Sequence, residues 1–345
     1  MTFLKRIILI FLLVQGFASE AQKLQHDSPG AGNPILPGYF ADPTVKKFGD
    51  TYYIYATTDG NGGGFGPSQV WSSKDFVNWS LDDMNWPTTH HYWAPDVTQA
   101  KDGKYYMYYC QPVEIFGASS NSPVGPWVPL LPPGKPVVKN FLVPNVITLD
   151  GQTFRDDDGK MYMFWGTWGI YPNHGCGVGL LNDDMKTFAK LAQIPNTVAK
   201  DFFEAPFMFK RNGLYYLTYS SGRCEDDTYR VQYAVSKDGP MGPFVYGKNN
   251  PILTTNGDGT VHGPGHQSVL QENKDFYLIY HRHNNPHSGG GYHRQVAADK
   301  LQFDKDGNIE KVIPSHERIG YLAKNSNPSA DLALNCKVTA SSYYS

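Results

Sequence analysis

One short pattern recurs five times along this chain and constrains its fold more than any other feature. The runs are GDTYYIYAT (49–57), DGKYYMYYC (102–110), DGKMYMFWG (158–166), NGLYYLTYS (212–220) and KDFYLIYHR (274–282). Each places a turn signal before a run of β-formers and reads as a buried strand. Aligned on Tyr53, Tyr106, Tyr162, Tyr216 and Tyr277, the runs are spaced by 53, 56, 54 and 61 residues. After each of the first four comes a strand, a Ser/Asp/Gly/Pro turn and a second strand carrying Trp or Phe (70–80, 116–130, 178–191 and 233–247). With a strand before each turn, every unit holds four strands. Five such units predict an all-β, five-bladed β-propeller with four antiparallel strands per blade. A large β-sandwich is the rival, but it needs no regular interval, and a parallel β-helix uses much shorter repeats.

Composition agrees. The 345 residues include 35 Gly and 25 Pro, are 14 % aromatic and only 18 % charged, which suits short strands and turns and excludes disorder and helical bundles. A net charge of −2 leaves no electrostatic footprint for nucleic acid or an anionic membrane. A near-neutral, aromatic-rich surface suits sugars instead.

Residues 1–21 read as a secretory signal peptide. Lys5 and Arg6 precede the apolar run Ile7 to Val14, and Ser19 and Ala21 stand before the cleavage point. The run is too short to span a bilayer, and no lipoprotein Cys follows, so a secreted or periplasmic chain without a membrane span is expected. Residues 22–35 form a lead-in, 36–322 the propeller, and 323–345 a linker followed by the opening of a further module. A monomer is expected. The cysteines (Cys110, Cys176, Cys224, Cys336) show no zinc spacing. A Cys176–Cys224 bridge stays open, and Cys110 reads as a small buried hydrophobe.

Ten to twelve residues before the anchor tyrosines stand Asp42, Asp96, Asp150, Glu204 and His266. The first strand of each blade lines a propeller's channel, so these groups converge near one axis. Acids held together in an apolar wall have their pKa values pushed apart, as acid/base chemistry requires. Turn formation accounts for Asp157, Asp158 and the 304–307 turn, but not for Glu204 between Phe203 and Ala205. The Gly-rich stretches 60–64 and 289–291 lack a phosphate-loop Lys-Ser/Thr.

Ala41-Asp42-Pro43, Trp93-Ala94-Pro95-Asp96, Leu149-Asp150 ahead of Asp156-Asp157-Asp158-Gly159, Glu204-Ala205-Pro206 and Gly263-Pro264-Gly265-His266 together resemble glycoside hydrolase family 43 over about 36–322. The resemblance implies an inverting hydrolase of arabinose- and xylose-containing plant polysaccharides, with galactose- or galactofuranose-releasing members as an alternative. It implies Asp42 as general base, Glu204 as general acid and Asp150 as the group that keeps Glu204 protonated and oriented. His266 matches a central histidine that often sits by calcium on the axis, and a metal-free buried histidine is the alternative. Arg294 resembles an arginine beside the Asp150 counterpart. Gly151 departs from the family's usual Pro. Trp93, Asp96, Phe203 and Trp168 are candidate sugar-binding residues, while strand-internal Trp165 reads as packing. His281, His283, His287 and His293 are expected to shape the substrate rim. Loops 60–68, 111–122 and 283–293 are expected to wall the channel, which favours exo action by an α-L-arabinofuranosidase or β-xylosidase. The terminal DLALNCKVTASSYYS resembles the first strand of a discoidin-like carbohydrate-binding module. A non-catalytic sugar-binding propeller has no reason to keep Asp42 with Glu204, and a retaining fructan hydrolase would need Asn-Asp-Pro-Asn and Arg-Asp-Pro motifs that are absent.

Overall fold

A computed structural model describes residues 32–60, 69–82, 92–288, 292–317 and 319–322. The signal-peptide segment, most of the lead-in, most of the 60–68 loop and the terminal segment with Cys336 lie outside the described residues. Among the described residues the strands form five separate antiparallel sheets, four of them four-stranded and one three-stranded. The innermost strands are Phe40–Phe48, Trp93–Gln99, Gln152–Arg155, Glu204–Arg211 and Gly265–Glu272. Each packs against its predecessor and successor, and the fifth packs against the first, so the sheets close into a ring as a five-bladed β-propeller.

The repeated tyrosine runs are the second strands. They carry the inter-blade cores because both faces of a blade are covered. Tyr55, Tyr108, Tyr216, Tyr219 and Tyr280 are fully buried. Thirteen of the 23 tyrosines fall in these five runs, so most of the aromatic richness is blade packing rather than sugar recognition. Trp165, as expected, is packing and fully buried.

The three-stranded blade is the fifth. Its outer strand, Arg294–Leu301, is covered by the chain's start. Ile35 N–H donates to Val296 O at 2.8 Å, and Asn33 exchanges side-chain bonds with Ala298, accepting from its N–H at 2.9 Å and donating to its O at 3.1 Å. The propeller therefore includes residues assigned to the lead-in, and the first described residues hold the last blade shut.

Candidate active site

Each inner strand carries one residue in the left-handed backbone region near its start, and these residues form a ring around the axis. They are Asp42, Ala94, Asp150, Ala205 and His266, with φ of 54°, 45°, 54°, 56° and 48°. In blades 1, 2, 4 and 5 the ladder slips at this point, a β-bulge that re-aims the chain into the channel. A left-handed non-glycine residue costs about 1–2 kcal/mol. Anchoring of its N–H by the preceding blade offsets that cost. Ala94 N–H donates to Thr57 Oγ1 at 2.9 Å, Asp150 N–H to Cys110 Sγ at 2.8 Å, His266 N–H to Ser220 Oγ at 2.8 Å, and Asp42 N–H to His281 Nδ1 at 3.1 Å. In blade 3 the residue at the Thr57 station is Gly166, which has no side chain. There the Asp150 carboxylate takes the role, and Ala205 N–H donates to its Oδ2 at 3.1 Å. Asp150 is thereby fixed beside Glu204, the residue before Ala205. Gly151 has its own reason: a Cβ there would lie 2.9 Å from Ile115 Cδ1.

Asp42, Asp150, Glu204 and His266 open together into a cavity of about 520 Å³, with Trp93, Trp168, Phe203 and Arg294 also in its wall. One ligand atom each of Asp150, Glu204 and His266 lie within 4.8 Å of one another, and so do those of Asp42, His266 and His281. His266 thus stands between Asp42 and the Asp150–Glu204 pair.

The two ends of the site are charged in opposite senses. Burial works to raise the Asp42 pKa, but the His266 and Arg294 cations outweigh it and hold Asp42 well below the usual carboxylate range. His266 Nδ1 lies 3.0 Å and Arg294 Nη1 3.3 Å from Asp42 Oδ1, and Thr57 Oγ1 donates to Oδ2 at 2.8 Å. Burial opposes charge on His266, yet Asp42 and Asp150 push it up to about 9, so it is a cation at neutral pH. His281, desolvated and beside Arg294, is pushed down to about 3; it stays neutral, and its Nδ1 is free to accept the Asp42 N–H. Burial, then the Asp150 carboxylate, push Glu204 up to about 8. Burial also raises Asp150, to about 6. Glu204 accepts from Tyr229 Oη at 2.6 Å on Oε1 and from Trp168 Nε1 at 3.1 Å on Oε2. The cavity therefore presents an ionised carboxylate and a protonated one at neutral pH, the division of labour of a general base and a general acid.

Several expectations need correction. Asp96 does not line the cavity. It lies two residues beyond the bulge and is buried, paired with Lys46 Nζ at 2.8 Å and accepting from the N–H of Thr153 at 2.9 Å and from its hydroxyl. It ties blades 1, 2 and 3 together. The hairpin of blade 2 (Thr98 opposite Tyr106) is one residue longer than that of blade 1 (Lys46 opposite Tyr53), so counting back from the tyrosine does not reach equivalent positions. Arg294 sits at Asp42 rather than Asp150, because Asp59 holds its guanidinium there: Nε to Oδ2 at 2.8 Å and Nη2 to Oδ1 at 3.0 Å. His281 and His283 are buried rather than on the rim. Half of residues 111–122 form the third strand of blade 2, Ile115–Ser120, and none of the twelve lines the cavity. Arg223, Cys224, Glu225 and Ile170 supply wall that was not expected. Cys176 and Cys224 are both free thiols. Asp59, Tyr229 and Thr57 were missed: Asp59 and Tyr229 lie outside the recurring runs, Thr57 ends one of them as an ordinary β-former, and only their burial as polar groups marks them.

Calcium at His266 was tested against the donor set. The small axial cavity beside His266, Asp150, Thr44 and Gln152 measures about 20 Å³, room for about one water. Calcium takes six to eight oxygen ligands. The Lys46 ammonium, 5.7 Å from the Phe207 ring centroid and paired with Asp96, already supplies positive charge between the blades. Two sets of side chains around His266 stand close enough to share an ion, Asp42 with His281 and Asp150 with Glu204, the ligand atoms of each set lying within 4.8 Å of one another.

Residues 31–309 match the family described as glycosyl hydrolases family 43. A β-D-galactofuranosidase of Aspergillus niger is 29 % identical, with 88 % of this chain and 92 % of that protein aligned. A xylosidase/arabinosidase of Bacteroides ovatus is 30 % identical, covering 80 % of this chain and 95 % of that one. Among solved structures, a thermostable family-43 glycoside hydrolase superposes with a TM-score of 0.71 at 26 % identity, over 85 % of this chain and 99 % of that chain. An arabinoxylan arabinofuranohydrolase from Bacillus subtilis gives a TM-score of 0.69 at 26 % identity, over 85 % and 70 %.

Proposed function

The chain belongs to glycosyl hydrolase family 43, and from that premise we propose that it is a secreted, inverting glycosidase that removes arabinofuranosyl or xylosyl residues from plant cell-wall polysaccharides. The observation that carries this reading is the opposite displacement of two carboxylates in one cavity, Asp42 downward and Glu204 upward. Asp42, ionised and aimed by Thr57 and His266, takes a proton from a water that attacks the anomeric carbon. Glu204 delivers its proton to the leaving oxygen. The proton gained by Asp42 and the proton lost by Glu204 balance, and bulk water resets both. Asp150 acts through Glu204: its charge holds the acid protonated, and its bond to Ala205 N–H fixes their separation. Trp93, Trp168, Phe203 and Arg294 hold the sugar in the cavity. Secretion rests on the leader-like residues 1–21. Positive charge beside Asp42 comes from His266 and Arg294.

Xylosidase and arabinosidase relatives support the sugar assignment. A galactofuranosyl substrate is the second reading, favoured by the Aspergillus niger relative. A panel of arabinofuranoside, xyloside, galactoside and galactofuranoside substrates separates them. In that panel Glu204→Gln loses about 10²–10⁴-fold in turnover on a poor leaving group. Near wild-type turnover would remove Glu204 from the acid role.

A further inference from the structure

Outside the cavity, on the side of the acid, stands an aromatic surface that the chemistry above leaves unused. Trp168 reaches Glu204 through its indole N–H, and the chain runs on through Ile170, which lines the cavity mouth, to Tyr171. Tyr171 meets Phe141 edge to face, with ring centroids 5.4 Å apart. Ile170 is 65 % exposed, and Tyr171 and Phe141 are each 41 % exposed. Apolar groups in solvent, next to one another and continuous with a cavity, mark a binding surface more often than chance.

The way Phe141 is held strengthens the case. Its φ is 56°, a left-handed conformation that is an outlier for a bulky residue. Its neighbours fix it there. Asn140 Oδ1 accepts from Phe141 N–H and from Thr148 N–H, both at 3.1 Å, Leu142 N–H donates to Lys139 O at 3.1 Å, and Val143 and Val146 are anchored in the core. The loop spends backbone strain to hold a ring half in water, where it gains little packing. A binding partner for the ring's face would repay that strain.

The acid decides which partner. Glu204 protonates the leaving oxygen, so the leaving part of the substrate departs on the side of Glu204 and Trp168. Asp42 and Arg294 lie on the other side of His266. We propose that Phe141 and Tyr171 form a platform for the leaving-side chain, and that the ring it takes is a pyranose. A β-linked pyranose offers a flat face of axial C–H groups that stacks on an aromatic ring, and a furanose offers no comparable flat face. The substrate is then a furanosyl or xylosyl group leaving a pyranose backbone. This rests on the glycosidase reading and sharpens its substrate.

The test is a leaving-side length series. The reference is a methyl glycoside of whichever sugar the enzyme releases, compared with the same sugar carried on one, two or three xylopyranose units, and on arabinofuranose units. In the wild type, kcat/KM rises as xylopyranose units are added and rises less with arabinofuranose. Tyr171→Ala and Phe141→Gly each remove about tenfold of that rise, the worth of one aromatic stacking contact. Tyr171→Trp keeps it, since any aromatic face serves. Affinity of the Glu204→Gln protein for the same oligosaccharides, measured by calorimetry, follows the same order. Wild-type length dependence in both truncation variants, with native thermal melting, would overturn the platform. Equal gains from furanose and pyranose units would overturn the choice of ring. Failure of the glycosidase reading looks different: the wild type would then turn over none of the series.

Discussion

Glu204 is held by two donors, Tyr229 and Trp168, and the Tyr229 bond also acts on its pKa. The Tyr229 hydroxyl donates to the carboxylate and so favours the ionised form, against burial and the Asp150 charge, which favour the protonated form. The proposed mechanism needs Asp42 ionised and Glu204 protonated. The first condition holds to below the usual carboxylate range and the second up to about pH 8, so the basic limb of the kcat/KM profile lies near 8. Tyr229→Phe removes a bond to the ionised form, so the basic limb moves to higher pH while kcat falls. A pH–rate profile checks both, and a limb that stays in place would reduce Tyr229 to packing. The carboxylates and His266 were legible in the sequence, because each stands in a short motif that recurs at the blade interval. Tyr229 and Asp59 were not, and His281 was expected only at the substrate rim. They reach the site from second strands and connecting loops, where a polar residue has no periodic signature until the ring brings the blades together.

The bulged inner strand is the element that turns a row of residues into a site. Its left-handed residue points into the channel, and a neighbouring blade pins its N–H. Sequence counting found the right strands but not the right register. Hairpins differ by one residue, and a shift of one or two positions separates Asp96, which ties blades together, from Ala94, which stands at the bulge. The fifth blade shows a second limit. Its outer edge is covered by residues 33–35, which have no strand-like pattern and read as lead-in, because their partner lies at the far end of the chain. Asn33 carries that closure: its Nδ2 donates to Ala298 O, Ser315 O and Glu317 O at 3.1, 3.1 and 3.0 Å, and buried Arg282 donates to its carbonyl at 3.0 Å. Asn33→Ala leaves several buried groups without partners and destabilises the fold by about 2–4 kcal/mol. Urea unfolding measures this. A change under about 0.5 kcal/mol, typical of an ordinary surface site, would show that the ring does not depend on this clasp.

At the scale of the molecule, the ring makes the chemistry possible. It draws carboxylates from residues 42, 150 and 204, far apart in sequence, to one axis, with His266 from the last blade among them. The fold was legible because a repeat of four strands cannot bury its own faces and must stack on neighbours, and five of them close into a ring with only short edges at its rim. The charge separation was legible only as an expectation, since the Arg294–Asp59 and His266–Asp42 pairs that create it need coordinates. In the proposed mechanism, water activated by Asp42 attacks opposite the bond that Glu204 breaks, so the central claim is a single displacement with inversion. Proton NMR of the first sugar released, followed before mutarotation, measures it most directly. An inverted anomer is the predicted product. A retained anomer would mean a covalent intermediate and would contradict the roles assigned to both carboxylates.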